Sequence, residues 1–475
     1  MVFSSTLFLL YFLPLFLVVY YLADTRYKNA VILTFSIFFY AWGAPRFLFV
    51  ILGSVILDYY LSHFIHNSEG KKKKVLLIFS VCINVSVLLY FKYANFFVEN
   101  LNNALLSLGA SGPIKWTAVA LPIGISFFTF HELSYIIDVY RGVNKPMKRI
   151  IDYAVYILLF PQLIAGPIIR YKEIANQIID RRKEENIDNK LTGFFRVVIG
   201  LSKKVLIANV LGEQVDIIFS LPSADISTSL AWIGIIAYSF QIYFDFSGYS
   251  DMAIGIARMI GIYFPENFDN PYISKNITEF WRRWHISLSR WMRDYLYIPL
   301  GGNKVKTKTR LYFNLWLVFL ISGFWHGAAW NFLFWGAFHG LFLIADRLFL
   351  LKITERIGKI PSMLLTYFLV LIGWVFFRSS TMDFALTFTK KLFNVTLIPN
   401  FPHIDLKFYF ILIIAAAFSF SAVFSRVNIL QNFVLFAAPS NRRALIFGLF
   451  SLSLLILCVG SISSSGFNPF IYFRF

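Results

Sequence analysis

Long apolar runs separated by short basic gaps are the dominant pattern of this chain. Residues 1–22, 30–42, 47–64, 75–93 and 116–137 are apolar enough to enter a bilayer, and so are 191–219, 230–264, 311–351, 361–377, 408–424 and 444–461. A helix needs about 20 apolar residues to cross the hydrocarbon core, so the pattern predicts an all-α polytopic membrane protein. A β-barrel would show short alternating segments instead. The gaps carry Arg26 and Lys28, then Lys71–Lys74, then Arg141, Lys145, Lys148 and Arg149. Under the positive-inside rule these mark cytoplasmic loops, and counting crossings from them puts the N-terminus and residues 466–475 outside. Residues 95–115 read as an outer loop with room for a surface helix.

Two segments break the alternation. Residues 150–169 are apolar but have basic residues on both flanks, and Pro161, Gly166 and Pro167 interrupt any helix there. That is the pattern of a re-entrant segment, whose irregular backbone is tolerated only when buried in protein or lining a wet cavity. Residues 265–310 are too polar to span, yet they contain Phe280, Trp281, Trp284 and Trp291. Basic, aromatic helices lying at the cytoplasmic interface fit that composition. Residues 311–351 should dip into the membrane and return to Lys352 and Arg356.

Composition agrees. The chain is 58% hydrophobic and 15% charged, against roughly 25% charged in soluble domains. Its net charge of +19 would suggest nucleic acid in a soluble protein, but here the basic residues sit in the gaps between apolar runs, where the positive-inside rule puts them. Cys82 and Cys458 both lie within apolar runs, so no disulfide framework is indicated. Residues 1–22 lack a basic leader and a small-residue cleavage site, and they read as a retained first span. The chain reads as one integral-membrane domain, 1–475.

His131-Glu132 opens like a zinc-hydrolase motif, but the second ligand histidine is missing and no metal site is expected. Phosphate-binding loops, dinucleotide fingerprints and nucleophile elbows are also absent from the sequence. Three constellations remain. Asp245, Ser247 and Asp251 lie inside an apolar span, where carboxylates need partners or water; a buried polar network joining helices is the plain reading. The run from Phe280 to Asn303 contains Arg282, Arg283, His285 and Arg293, and its arginines either fork onto phosphates or anchor to anionic lipid. The third is Gly323-Phe324-Trp325-His326-Gly327, in a stretch from 311 to 345 without a single Asp, Glu, Lys or Arg. A desolvated neutral imidazole there can accept a proton, and general-base help is worth about 10²–10⁴-fold in rate. A satisfied structural histidine is the competing reading.

Together the stretches 243–255, 280–303 and 323–340, with the ending Phe470-Ile471-Tyr472-Phe473-Arg474-Phe475, resemble the membrane-bound O-acyltransferase (MBOAT) family. The resemblance is to its bacterial branch of alginate and peptidoglycan O-acetyltransferases, with core motifs within 116–350. It implies a ring of about 11–13 tilted and re-entrant helices around a central funnel, helices being one of the two forms that a bilayer permits. By position it implies His326 as the active-site base, His285 as a second catalytic histidine, and Tyr472 as an acyl shuttle, for which an interfacial aromatic anchor is the alternative. It also implies acetyl-CoA as donor near Arg282, Arg283, Arg293, Asn303 and Trp325. The expected setting is the bacterial cytoplasmic (inner) membrane. The expected partners are membrane lipids, an extracytoplasmic esterase-like (SGNH-type) acetyltransferase, and polysaccharide or peptidoglycan as final acceptor. D-alanyl transfer to teichoic acid and a non-enzymatic transporter or flippase are the alternatives; the latter would show matched inverted repeats, and only one broken segment is visible.

Overall fold

A computed structural model describes residues 2–164, 166–395, 404–424, 441–464 and 466–467. All regular structure among them is helical. Six helical stretches are long and apolar enough to cross a membrane: Pro45–His66, Gly70–Ser107, Trp330–Ile357, Lys359–Arg378, Leu406–Val423 and Ala444–Ser464. The described residues form two compact units, one of Leu7–Arg182 and one running from Lys183 with Val2–Thr6.

The first unit follows the expected spans with two corrections. The helix Gly70–Leu88 does not stop at the end of the apolar run; it continues through Leu89–Tyr93 and Ala94–Ser107. Asn100 and Ser107 bond to carbonyls on the preceding turn, and Asn95 and Asn102 bond to Val119 and Ile114 of the segment that follows. The following span begins only at Ile125, and 113–122 has no regular structure. The expected re-entrant break is present. Ile150–Leu158 stops before the single turn Phe160–Leu163, and no helix resumes until Tyr171. The broken backbone is buried and its polar groups are met by side chains: Phe160 N donates to Ser36 Oγ at 3.1 Å, Tyr156 OH donates to the Ile169 carbonyl at 3.0 Å, and Ile169 N donates to His131 Nε2 at 3.4 Å. Such pairing is what irregular backbone away from water requires, and His131 is occupied by it.

The second unit is built on the antiparallel helices Ile187–Ser202 and Thr228–Met259. Their backbones touch at two glycine pairs seven residues apart. A Cβ on Gly193 would lie 2.6 Å from the Gly255 carbonyl oxygen, and one on Gly200 would lie 2.5 Å from that of Gly248. Small residues allow this approach between helices in a membrane. The closeness brings buried charges together. Lys204 Nζ meets Asp245 at 2.7 Å, with both side chains 3% exposed. Asp251 receives Arg196 at 2.9 Å and Lys203 at 2.7 Å, and Arg196 also binds Glu266. The plain reading of Asp245 and Asp251 as helix-joining groups therefore holds.

A second glycine contact shapes a hairpin. The helices Lys308–His326 and Trp330–Ala345 are joined by Gly327-Ala328-Ala329. A Cβ on Gly323 would lie 2.8 Å from Gly336 Cα and closer still to the Phe332 carbonyl. This is the expected dip and return. Asn331 Nδ2 ties the turn to the end of the helix Lys359–Arg378 by donating to the carbonyls of Phe376 (3.1 Å) and Ser379 (2.8 Å).

Two outcomes follow for stability in detergent. Gly200→Ala should destabilise by about 1–3 kcal/mol through overpacking, whereas Gly448→Ala, with nothing near its added methyl group, should leave the melting temperature unchanged or raise it slightly. Equal melting temperatures for the two variants would remove the close-contact argument. Lys204→Met alone should cost about 3–5 kcal/mol, because it leaves Asp245 buried and uncompensated, while Lys204→Met with Asp245→Leu should recover most of that loss. Denaturation of the purified single and double variants measures the difference.

Candidate active site

His326 is the last residue of the helix Lys308–His326, at the bottom of the hairpin, and is 6% exposed. Aromatic rings wall it in. Trp325 lies 4.9 Å away between centroids, Trp335 at 5.1 Å and Phe377 at 5.3 Å, each ring set edge to face. Trp335 and Phe377 come from the return helix and the following span, so the site exists only once the glycine-packed hairpin has closed. Such a setting is largely apolar.

His285 reaches the same region from a different part of the chain. The 265–310 stretch folds into the short helices Ile277–Arg283 and Ile286–Met292. Their aromatics turn inward: Phe280, Trp281, Trp284 and Trp291 are all buried. The stretch is therefore part of the second unit's core. His285 sits between the two helices with φ +43°, a left-handed conformation uncommon for a residue with a Cβ. Its ring is fully buried, packs edge to face on Phe246 at 4.7 Å, and lies 6.5 Å from Trp325. Burial pushes its pKa down to about 3, so it is neutral at any physiological pH. Trp325 thus neighbours both predicted histidines, which are 41 positions apart (285 and 326) in sequence.

A third histidine was not singled out by the sequence. His339 is fully buried, 5.0 Å from Trp335. Trp281 Nε1 donates to its Nδ1 at 3.3 Å. In a neutral ring that leaves the proton on Nε2, and Nε2 has no hydrogen-bond partner among the described residues. It faces Gly373, where a Cβ would stand only 2.8 Å away. Trp335 therefore touches His326 on one side and His339 on the other, one helical turn along its own helix. That spacing was the available signal, because positions 335 and 339 share a helix face.

The predicted donor-site residues are more scattered. Arg282 and Arg293 are exposed, and Arg293 pairs with Asp294 at 2.8 Å. Arg283 is held by Asp269 and Glu279, each at 3.0 Å. Asn303 Oδ1 accepts from Tyr297 OH at 2.7 Å and from Arg347 at 3.2 Å. Ser247 is buried on the helix that carries Asp245 and Asp251. Tyr472 lies outside the described residues. Among the described residues no cluster of His, Cys, Asp or Glu has the composition to hold a metal ion.

An imidazole in an aromatic enclosure, with a second imidazole 6.5 Å from the adjoining indole of Trp325, has the chemistry to exchange a proton with a hydroxyl or thiol. Comparison with known proteins gives the family. Residues 125–357 match the model of the membrane-bound O-acyltransferase family, MBOAT. The chain is 45% identical over 397 residues to the probable alginate O-acetylase AlgI of Pseudomonas aeruginosa, an alignment covering 83% of this chain and 75% of that one. It is 38% identical over 426 residues to the peptidoglycan O-acetyltransferase of Helicobacter pylori, covering 82% and 80%. A teichoic acid D-alanyltransferase of Bacillus subtilis is 33% identical over 235 residues, covering 48% of this chain and 59% of its own. With relatives this similar over most of both lengths, the chain belongs to the membrane-bound O-acyltransferase family and is a multi-pass membrane acyltransferase.

Proposed function

We propose that this protein moves acetyl groups from cytoplasmic acetyl-CoA across the bacterial cytoplasmic membrane for O-acetylation of an extracytoplasmic polymer, either an alginate-like exopolysaccharide or peptidoglycan. The observation that carries the reading is the convergence of His285 and His326 on Trp325, from segments that share no local structure. Similarity to an alginate O-acetylase and a peptidoglycan O-acetyltransferase supports the acetyl group and the polymer class. His326 takes the proton of an acceptor hydroxyl, and the oxygen attacks the thioester carbonyl. The C–S bond breaks, and the departing thiolate recovers a proton. His285 assists from the neighbouring position, and Arg282, Arg283, Arg293 and Asn303 lie toward the donor's phosphates. Both termini are outside, so Tyr472 is on the acceptor side. A phenol with a pKa near 10 needs a base to become a good nucleophile, and His326 supplies it. Acetyl-Tyr472 then passes its acetyl group to a hydroxyl of an SGNH-type partner, which modifies the polymer.

His326→Ala should reduce O-acetylation of the polymer by at least about 10²-fold while leaving the protein inserted and folded; retention of full activity would rule out His326 as the base. Tyr472→Phe keeps the ring and loses the nucleophile. It should abolish transfer to the partner if Tyr472 is a shuttle and spare it if the residue only anchors. Intact-protein mass spectrometry after exposure to acetyl-CoA should place one acetyl group on the C-terminal peptide. No adduct from acetyl-CoA but one from a D-alanyl thioester donor supplied in its place would favour teichoic acid D-alanylation, and no turnover of either thioester would favour a transporter.

A further inference from the structure

Asn267 closes the segment that carries His285. Two stretches of chain pair through their backbones there: Asp269 N donates to the Arg283 carbonyl at 2.9 Å, and Ile286 N donates to the Asn267 carbonyl at 3.0 Å. The Asn267 side chain, in a residue 1% exposed, then fills the centre. Its Oδ1 accepts from Ser287 N (3.2 Å) and Ser287 Oγ (2.8 Å), and it lies 3.1 Å from His285 Nδ1. Its Nδ2 donates to Ser250 Oγ at 3.1 Å.

These contacts decide a tautomer. A backbone N–H can only donate, so the atom facing Ser287 N is the amide oxygen and not the nitrogen. An amide oxygen only accepts, so His285 Nδ1 must carry its proton. In the neutral ring Nε2 is then the bare acceptor. Nε2 is buried and has no hydrogen-bond partner among the described residues, and a buried polar atom left open in this way calls for an explanation. The left-handed backbone at His285 points the same way. Residues held in sparsely populated conformations cost about 1–3 kcal/mol and persist where the surroundings over-determine them. Here Asn267 binds the next two backbone N–H groups as well as the ring.

We propose that Asn267 is a positioning residue for acyl transfer: it locks His285 in the Nδ1–H form, so that Nε2 is kept as an acceptor toward an O–H or S–H of the incoming substrates. The inference rests on the acyl-transfer reading of the His285–His326 pair. The charged groups next to Asn267 and Ser250 in sequence are paired with one another. Glu266 and Asp251 both bind Arg196, and Lys203 binds Asp251. The ring contacts of His285 are to Phe246, edge to face at 4.7 Å, and to Trp325 at 6.5 Å, and neither carries a charge. Asparagine therefore fixes the ring's proton without adding a carboxylate that would make the ring cationic.

The test is a mutant cycle on the full-length protein in its own membranes, with acetyl-CoA as donor and polymer O-acetylation as readout. Asn267→Ala should lower the rate about 10–100-fold, within the range for losing general-base help. The double variant with His285→Ala should be no slower than His285→Ala alone, since both changes remove one function. Asn267→Asp keeps the accepting oxygen and should restore most of the rate. Its carboxylate also stabilises imidazolium, so the acid limb of the pH–rate profile should move to higher pH. Multiplying effects in the cycle, with an unmoved pH profile, would overturn the proposal. Should Asn267→Ala fail to fold, ¹⁵N-histidine NMR of the unaltered protein still decides, because the resonance lost in His285→Gln must be an Nδ1–H form and an Nε2–H form would overturn the inference. An active His326→Ala variant would sink the acyl-transfer reading while leaving that NMR result in place, so the two failures are separable.

Discussion

The close crossing of the helices Ile187–Ser202 and Thr228–Met259 is the constraint on which the second unit depends. Glycine meets glycine at two levels, and the backbones come within van der Waals contact there. Only at that separation do Lys204 and Asp245 make a 2.7 Å ion pair, and only there does Asp251 collect both Arg196 and Lys203. Away from water each ion carries a desolvation penalty of several kcal/mol, which attraction offsets only when the geometry is good. Helix spacing and charge matching are therefore one condition. Glycine at four positions makes the ion pairs possible, and the ion pairs hold the helices in the register that the glycines allow.

The hairpin at 308–345 repeats the device without charge. Gly323 and Gly336 bring the two arms together, and the aromatic side chains that cannot fit between the arms collect at the turn around His326. The result is an imidazole whose neighbours are almost all π-faces and edges. Such walls keep most water from the ring, which is 6% exposed. The return helix carries both Trp335 and His339, which places a further imidazole against the same indole. Chemistry and packing thus share one set of residues.

The sequence made most of the fold legible because span length and gap charge are local signals. The 150–169 break was visible in Pro161, Gly166 and Pro167, and the 311–351 dip in the lack of charge around His326. What it hid is non-local or ambiguous. The stretch Asn95–Ser107 reads as an outer loop with room for a surface helix, and what the sequence does not show is that Asn95 and Asn102 bond across to Val119 and Ile114 while Asn100 and Ser107 bond back to their own turns. The 280–303 run looks like a lipid anchor in isolation, and only tertiary packing shows its tryptophans buried. His339 sits in an ordinary apolar helix, and its bond to Trp281 spans 58 positions. Asn267 lies among Pro265, Asp269 and Asn270, a cluster that reads as a turn, and its contacts to Ser287 reach across 20 positions. No periodicity records such pairings.

Those long-range contacts join the structural core to the site. Ser250 and Asp251 are adjacent on the Thr228–Met259 helix, and Glu266 and Asn267 are adjacent after it. One member of each neighbouring pair binds Arg196, and the other two bind each other. The same two-residue step that anchors the chain to the ion network therefore delivers Asn267 to His285. Any rearrangement of Arg196 would be transmitted to the imidazole through Glu266 and Asn267 with no flexible linker between them. Through the Asn267–Ser250 hydrogen bond the His285 ring is thus tied to the glycine-packed, charge-matched helix pair.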